Sequence, residues 1–255
     1  MKLLIAFDRE YQLIRNDVIL YNTLNSSLAS NISILLGIRF IEDCIVYRKA
    51  GYYRAKLRIK NGGNIMTIHA PDFYVDNANS AKNLLVEGNK RFVSGELQSK
   101  ASYAEDRKTL LGGQKPFATI LSCSDSRVVP EILFDQKLGD LFVIRNAGNV
   151  LDDAVLGTIE YAAGHLKCPL IVVLGHNLCG AVTSAVGKGE ASEYLQKIMG
   201  KINGAIGDIE DVDEAIDANA KSIVEEIKEN AVVKESGAVV VQAFYDLDSG
   251  EVSWQ

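Results

Sequence analysis

Two short stretches carry residue types that can do chemistry. Cys123-Ser124-Asp125-Ser126-Arg127 offers a thiol, a carboxylate and a guanidinium, and His176-Asn177-Leu178-Cys179 adds an imidazole and a second thiol. Thiolate and imidazole are ligands that zinc prefers. A closed set of four reads as structural, whereas three protein ligands leave a position open for water. Cys123, His176 and Cys179, with Asp125 and Arg127 beside them, therefore suit a catalytic zinc. Each half-motif by itself is common, and a free cysteine is often no more than a small buried hydrophobe.

For the two stretches to meet, the chain between them must fold them to one edge. Residues 117–122 and 141–144 are nearly continuous apolar runs, as strands covered on both faces should be. A helical stripe of Val155, Ile159, Ala162 and Leu166 starts near Asp153, residues 170–174 form a third strand, and 179–186 open another helix. This alternation implies an α/β fold, a mostly parallel central sheet flanked by helices. Cys123 then follows the C-terminal end of the first of these strands and His176 that of the third, where open α/β sheets bind ligands. Upstream, Ala81, Leu84, Leu85, Gly88 and Phe92 share one helix face, with Ser80 placed to cap it. Downstream, the acidic run 208–217 reads as a solvated face, 238–245 as a strand, 246–250 as a turn and 251–254 as an edge strand pairing back.

Residues 1–76 read differently, as a small strand-rich extension. Apolar runs occur at 3–7, 18–20, 32–38 and 44–47, and alternating segments at 55–60 and 65–69 flank Asn61-Gly62-Gly63-Asn64, a hairpin signature. No chemistry can be assigned to this part, and its single histidine, His69, suits a structural role.

Composition narrows the function classes. The 255 residues carry 27 basic and 33 acidic side chains for a net charge of −6, with no basic run, so nucleic acid is not an expected partner. The apolar start ends at Asp8-Arg9-Glu10, too short for a secretory signal, and 32–38 falls far below the ~20 residues of a membrane span. A cytoplasmic protein without membrane contact is expected. Four cysteines without a secretory signal favour metal binding or burial over disulfides. Cys44 and Cys168 lie outside the motifs, and His165, at a helix C-terminus near Cys168, suits a favourable dipole contact better than a second metal site. A Cys-x5-Arg phosphatase loop is excluded by Val129, and no Gly-x-Gly-x-x-Gly occurs.

Taken together, Cys123-Ser-Asp-Ser-Arg-Val128, Gly139-Asp-Leu-Phe-Val-Ile-Arg-Asn-Ala-Gly-Asn149 and Gly175-His-Asn-Leu-Cys-Gly180 closely resemble the β-class carbonic anhydrases in order and spacing. The helix containing Glu87-Gly-Asn-Lys-Arg-Phe92 and the segment 238–254 resemble the family too, so the likeness covers about residues 79–255 and defines a catalytic domain over 77–255. The first 76 residues depart from the family, whose N-terminal arm is usually helical. The resemblance implies one zinc per chain on Cys123, His176 and Cys179, and reversible hydration of carbon dioxide to bicarbonate by zinc-bound hydroxide. It also implies a homodimer or homotetramer with the site at the dimer interface.

The resemblance further implies roles for single residues. Asp125 accepts a hydrogen bond from the water on zinc, and Arg127 holds Asp125 through a bidentate pair. In a closed state Asp125 can become the fourth ligand. Gln114 would bind a substrate oxygen, Phe142, Ala147 and Tyr161 would form the apolar pocket, and the Gly180 N–H would be a further donor. One subgroup gates this closure with bicarbonate through a tryptophan three residues before the first cysteine. Ile120 stands there, although Arg145 matches another residue of that site, so no bicarbonate gating of that type is expected. Two alternatives use the same core: hydrolysis of carbonyl sulfide or carbon disulfide, and a non-catalytic zinc-binding or sensing protein. Asp125, Arg127 and Gln114 weigh against the second, because zinc storage needs none of them.

Overall fold

The computed structural model describes residues 75–97 and 103–255. In the first part of the chain it describes the strands β1 (Val18–Leu20), β2 (Phe40–Lys49), β3 (Tyr52–Asn61) and β4 (Asn64–His69). The apolar runs at 3–7 and 32–38 lie outside the described residues, as does 71–74. The chain divides into two compact units, Met1–Tyr74 and Val75–Gln255. In the first, the four strands pair antiparallel in the order β1-β2-β3-β4. The hairpin signature around Asn61 corresponds to the β3–β4 pairing, with Asn61 opposite Asn64.

The second unit opens with α1 (Ala78–Ser94). Its cap is Asn77, whose Oδ1 accepts the N–H of Ser80 at 2.9 Å. The expectation of a Ser80 cap is therefore corrected: Ser80 lies inside the first turn and gives its backbone N–H to the true cap. Gly95, at φ 74°, ends the helix in the left-handed conformation that glycine adopts without strain. After α2 (Tyr103–Thr109) come β5 (Ala118–Cys123), the one-turn α3 (Pro130–Leu133) and β6 (Leu141–Asn146). α4 (Asp153–Glu160) runs on into a wider π turn over Tyr161–His165, and β7 spans Leu170–His176. Val155, Ile159 and Ala162 of the expected stripe are buried, whereas Leu166, past the π turn, is half-buried.

The remaining elements are α5 (Gly180–Val186), α6 (Glu193–Ile206), α7 (Val212–Glu229), α8 (Ala231–Ser236), β8 (Val239–Tyr245) and β9 (Val252–Trp254). The sheet order is β6-β5-β7-β8-β9, parallel except for β9, which pairs back on β8. β5 and β7 are buried along their whole length, which is why they read as nearly continuous apolar runs.

Both sheet faces are covered. On one, Ala81 and Leu85 of α1 and Leu133 and Phe134 around α3 pack on Ile120, Val172 and Leu174. On the other, Val155 and Ile159 of α4 and Ile223, Val224 and Ile227 of α7 pack on Leu121, Ile171 and Val173. The acidic run 208–217 is not purely a solvated face. Asp211 caps α7, and Asp217 accepts from Gln242 Nε2 at 2.6 Å and Gln255 Nε2 at 2.8 Å, tying α7 to β8 and the following chain.

Candidate metal centre

Parallel register decides where the two chemical stretches end up. Thr119 to Ser122 of β5 pair with Ile171 to Leu174 of β7, so Cys123 and His176 leave adjacent strands at the same edge. Leu178, at φ 56°, then turns the chain sharply enough to return Cys179 beside them as the residue capping α5. A left-handed backbone at an exposed leucine is a strained arrangement, of the sort that persists where surrounding structure enforces it.

The three ligand atoms lie within 4.8 Å of one another, and all three residues are buried. The two sulfurs are 3.9 Å apart and unbridged. A tetrahedral zinc with bonds of ~2.3 Å to sulfur needs two thiolates about 3.8 Å apart, so the spacing fits. His176 Nδ1 lies 2.7 Å from the Asn177 carbonyl, which can only accept, so Nδ1 carries the proton. That leaves the lone pair of Nε2 directed into the cluster, buried and without a hydrogen-bond partner. A buried imidazole nitrogen without a partner is costly unless a ligand completes it. The thiols respond to each other in opposite directions. The hydrogen bond from Cys179 pulls Cys123 below the ordinary thiol value, against the opposing effect of burial. That same hydrogen bond, with burial, pushes Cys179 up. A thiol hydrogen bond thus links the two sulfurs across a place a dication can take.

Asp125 is not within the cluster. Arg127 holds its carboxylate in a bidentate pair, Nε to Oδ1 at 2.9 Å and Nη2 to Oδ2 at 2.7 Å, and the backbone N–H of Arg127 adds a bond to Oδ1 at 2.9 Å. These hydrogen bonds hold the Asp125 carboxyl well below the usual carboxylate range. Arg127 also reaches the Leu178 carbonyl at 3.5 Å, linking the first stretch to the second. Arg145 donates to the carbonyls of Cys123 at 3.1 Å and Asp125 at 2.7 Å, so here its side chain serves the backbone of the cysteine loop.

A family model described as "Carbonic anhydrase" matches residues 118–252, more than half of the chain. The chain belongs to the β-carbonic anhydrase family. Carbonic anhydrase 2 of Mycobacterium tuberculosis is 58% identical over 102 residues, 40% of this chain and 49% of that protein. Carbonic anhydrase of Mycolicibacterium smegmatis is 50% identical over 126 residues, 48% of this chain and 61% of that one. The chain thus spans about half the length of the curated relatives it matches. Among solved structures, the β-carbonic anhydrase CafA of Aspergillus fumigatus superposes with TM-score 0.52 at 27% identity, covering 69% of this chain and 88% of that one. A tetrameric β-carbonic anhydrase of Sordaria macrospora shares the fold at TM-score 0.54 and 23% identity, covering 69% and 96%.

The other residues singled out by sequence are spread around this β-carbonic anhydrase core. Phe142 on β6 and Tyr161 form a tilted ring pair with centroids 6.0 Å apart, and Tyr161 stacks on His165 at 5.0 Å. Ala147 opens the turn after β6, Gly180 opens α5, and Gln114 is exposed in the loop before β5. Cys168 is buried with its thiol near the Leu170 carbonyl, and its surroundings are core, not ligands.

Sequence reading missed three supports of the centre. The Gly148 N–H donates to Cys123 Sγ at 3.4 Å, and Asn219 Nδ2 donates to the Gly148 carbonyl at 3.1 Å. Asn177 clamps its loop to the β8–β9 turn, donating to Asp246 Oδ2 at 3.2 Å and accepting the Leu247 N–H at 2.8 Å. Gly148 and Asn177 lie inside motifs that sequence had flagged, but Asn219 carries no local signal.

Proposed function

We propose that this chain is a zinc-dependent lyase that interconverts carbon dioxide and bicarbonate, with residues 77–255 as the catalytic domain and 1–76 as an appendage. The observation that carries the reading is the three-ligand cluster at the sheet edge, with the partnerless Nε2 of His176 turned into it. A zinc held there supplies Lewis acidity, which brings the pKa of water from 15.7 towards ~7.

The chain's own residues supply the rest. Two thiolates and a neutral imidazole cancel the charge of the dication, so an additional polar group is needed to orient water. Asp125 is suited to that: its carboxylate stays ionised and acts only as an acceptor, and the Arg127 fork fixes its plane. Closure of the site, with Asp125 as fourth ligand, requires this fork to open. Phe142, Ala147 and Tyr161 offer an apolar wall for an uncharged linear substrate. The Gly180 N–H and the Gln114 amide supply donors for its oxygens, the latter joining the pocket at a subunit interface.

Assembly as a homodimer or homotetramer in the cytoplasm completes the reading. β6 supports it, because this edge strand leaves Leu141, Phe142, Val143 and Ile144 only half-buried in the single chain. Among the described residues no helix is long and apolar enough to cross a membrane.

Stopped-flow carbon dioxide hydration, with zinc content measured on the same sample, tests the proposal. Turnover at about one zinc per chain is expected, with Asp125→Ala keeping its zinc and losing at least ~10–100-fold in rate. Full zinc with no turnover, at neutral pH and again under alkaline conditions, would sink the reading.

A further inference from the structure

Asn219 stands in the middle of α7 at 2% exposure, on a face otherwise made of Ala215, Ile216, Ala220 and Ile223. Asparagine is a poor helix former, and burying its amide is costly unless it is hydrogen-bonded. Its partner belongs to the cysteine loop. Asn219 Nδ2 donates to the Gly148 carbonyl at 3.1 Å, and the Gly148 N–H donates to Cys123 Sγ at 3.4 Å. The two bonds leave from either side of one Cα that sits in the left-handed region, at φ 71° and ψ 18°. Glycine is required there on space as well: a Cβ would lie 2.9 Å from Ile202 Cδ1 and 3.1 Å from Ala181 Cβ. The residue most free to rotate is thus the one whose N–H must point at the sulfur, and the hydrogen bond that holds its carbonyl sets that direction.

We propose that Asn219 is a positioning residue for the metal centre, whose hydrogen bond to Gly148 keeps the Gly148 N–H on the Cys123 thiolate. The proposal rests on the reading of Cys123, His176 and Cys179 as metal ligands. An N–H···S bond draws electron density from the sulfur. With two thiolates already cancelling the charge of a dication, that withdrawal leaves the metal a stronger Lewis acid. Partners of this kind, one step outside the ligand set, typically change metal affinity or activity ~10–100-fold. A merely structural Asn219 would satisfy a buried carbonyl, and its loss would lower stability without changing the metal.

The test uses the full chain with cobalt(II) in place of zinc. It reads the thiolate-to-cobalt charge-transfer band in the near ultraviolet, and zinc affinity by chelator competition. Asn219→Leu, which cannot donate, is expected to move the band to lower energy, because the sulfur regains electron density. It should also weaken zinc binding about 10–100-fold, because the thiolate is no longer held in place and deprotonated by the Gly148 N–H. Asn219→Gln keeps the amide and has room for its extra methylene in the adjoining cavity of about 180 Å³, lined by Val150, Lys201, Asn219 and Ser222, so its band and affinity should stay near the parent's. An unchanged band and affinity in Asn219→Leu, whatever its melting temperature, would overturn the proposal. If that variant does not fold, Asn219→Ala is read in the same two ways. A parent chain that takes up cobalt without a thiolate band overturns the ligand assignment itself, a failure distinct from any result on the variants.

Discussion

At Asp125 both carboxylate oxygens and the sign of the neighbouring charge are settled by one residue two positions away. Arg127 can make that bidentate pair only because its side chain folds back across the intervening serine, and the pair keeps Asp125 an acceptor throughout the ordinary pH range. Cys168 is the contrasting case, a thiol with no function in the site. Burial pushes it from 9.0 up to about 11, so the unfolded chain releases this proton first as pH rises. The stability tied to the neutral thiol is complete below the unfolded value of 9.0, declines above it, and has been lost once pH passes about 11. At 1.36 kcal/mol per unit that is roughly 3 kcal/mol. The urea midpoint of the parent should therefore fall further between about pH 8 and about pH 11 than that of Cys168→Ala. Equal falls would show that the thiol is not buried as described.

Among the elements, α1 is keyed to its neighbours through one side chain. Asn89 Nδ2 donates to the carbonyls of Leu133 at 3.1 Å and Gly250 at 2.9 Å, and its Oδ1 accepts the Val252 N–H at 2.9 Å, so one side chain joins α1, α3 and the strand β9. Next to it, a Cβ on Gly88 would lie 1.8 Å from the Phe134 carbonyl oxygen, so the helix backbone sits directly on that loop. Asn89→Ala leaves two carbonyls and one N–H without this partner, and a loss of about 3 kcal/mol or more in urea unfolding is expected. The capping correction has its own check. Asn77→Ala should cost about 1 kcal/mol, whereas Ser80→Ala should change stability by less than about 0.5 kcal/mol; the reverse order would restore Ser80 as the cap.

For the whole molecule, the second compact unit, Val75–Gln255, carries hydrophobic clusters of its own. A chain cut to 75–255 is expected to keep its zinc and turnover, measured by metal analysis and stopped-flow hydration. Loss of both would make the first unit part of the catalytic fold. Light scattering on the full and shortened chains should give at least a dimer mass for each, and a monomer with full activity would refute a site completed at a subunit interface.

The strands of the second unit, their mostly parallel direction and the candidate ligand set were legible in the sequence because each rests on local facts. Buried strands show as nearly continuous apolar runs, as in 117–122 and 170–174, and two motifs at strand ends must meet when the strands are neighbours. Asp125 with Arg127 was legible for the same reason, being close in the chain. Long-range hydrogen bonds leave no such trace: Asn219 looks like any polar residue of a helix until its bond to Gly148, 71 positions away, is seen. Nor could spacing show that Asp217, in an acidic run, anchors Gln242 and Gln255. Sequence determined which atoms could bind a metal, because ligand chemistry belongs to side-chain type. Only the tertiary structure decided what tunes and orients them, because a hydrogen bond depends on where the backbone of a distant residue comes to lie.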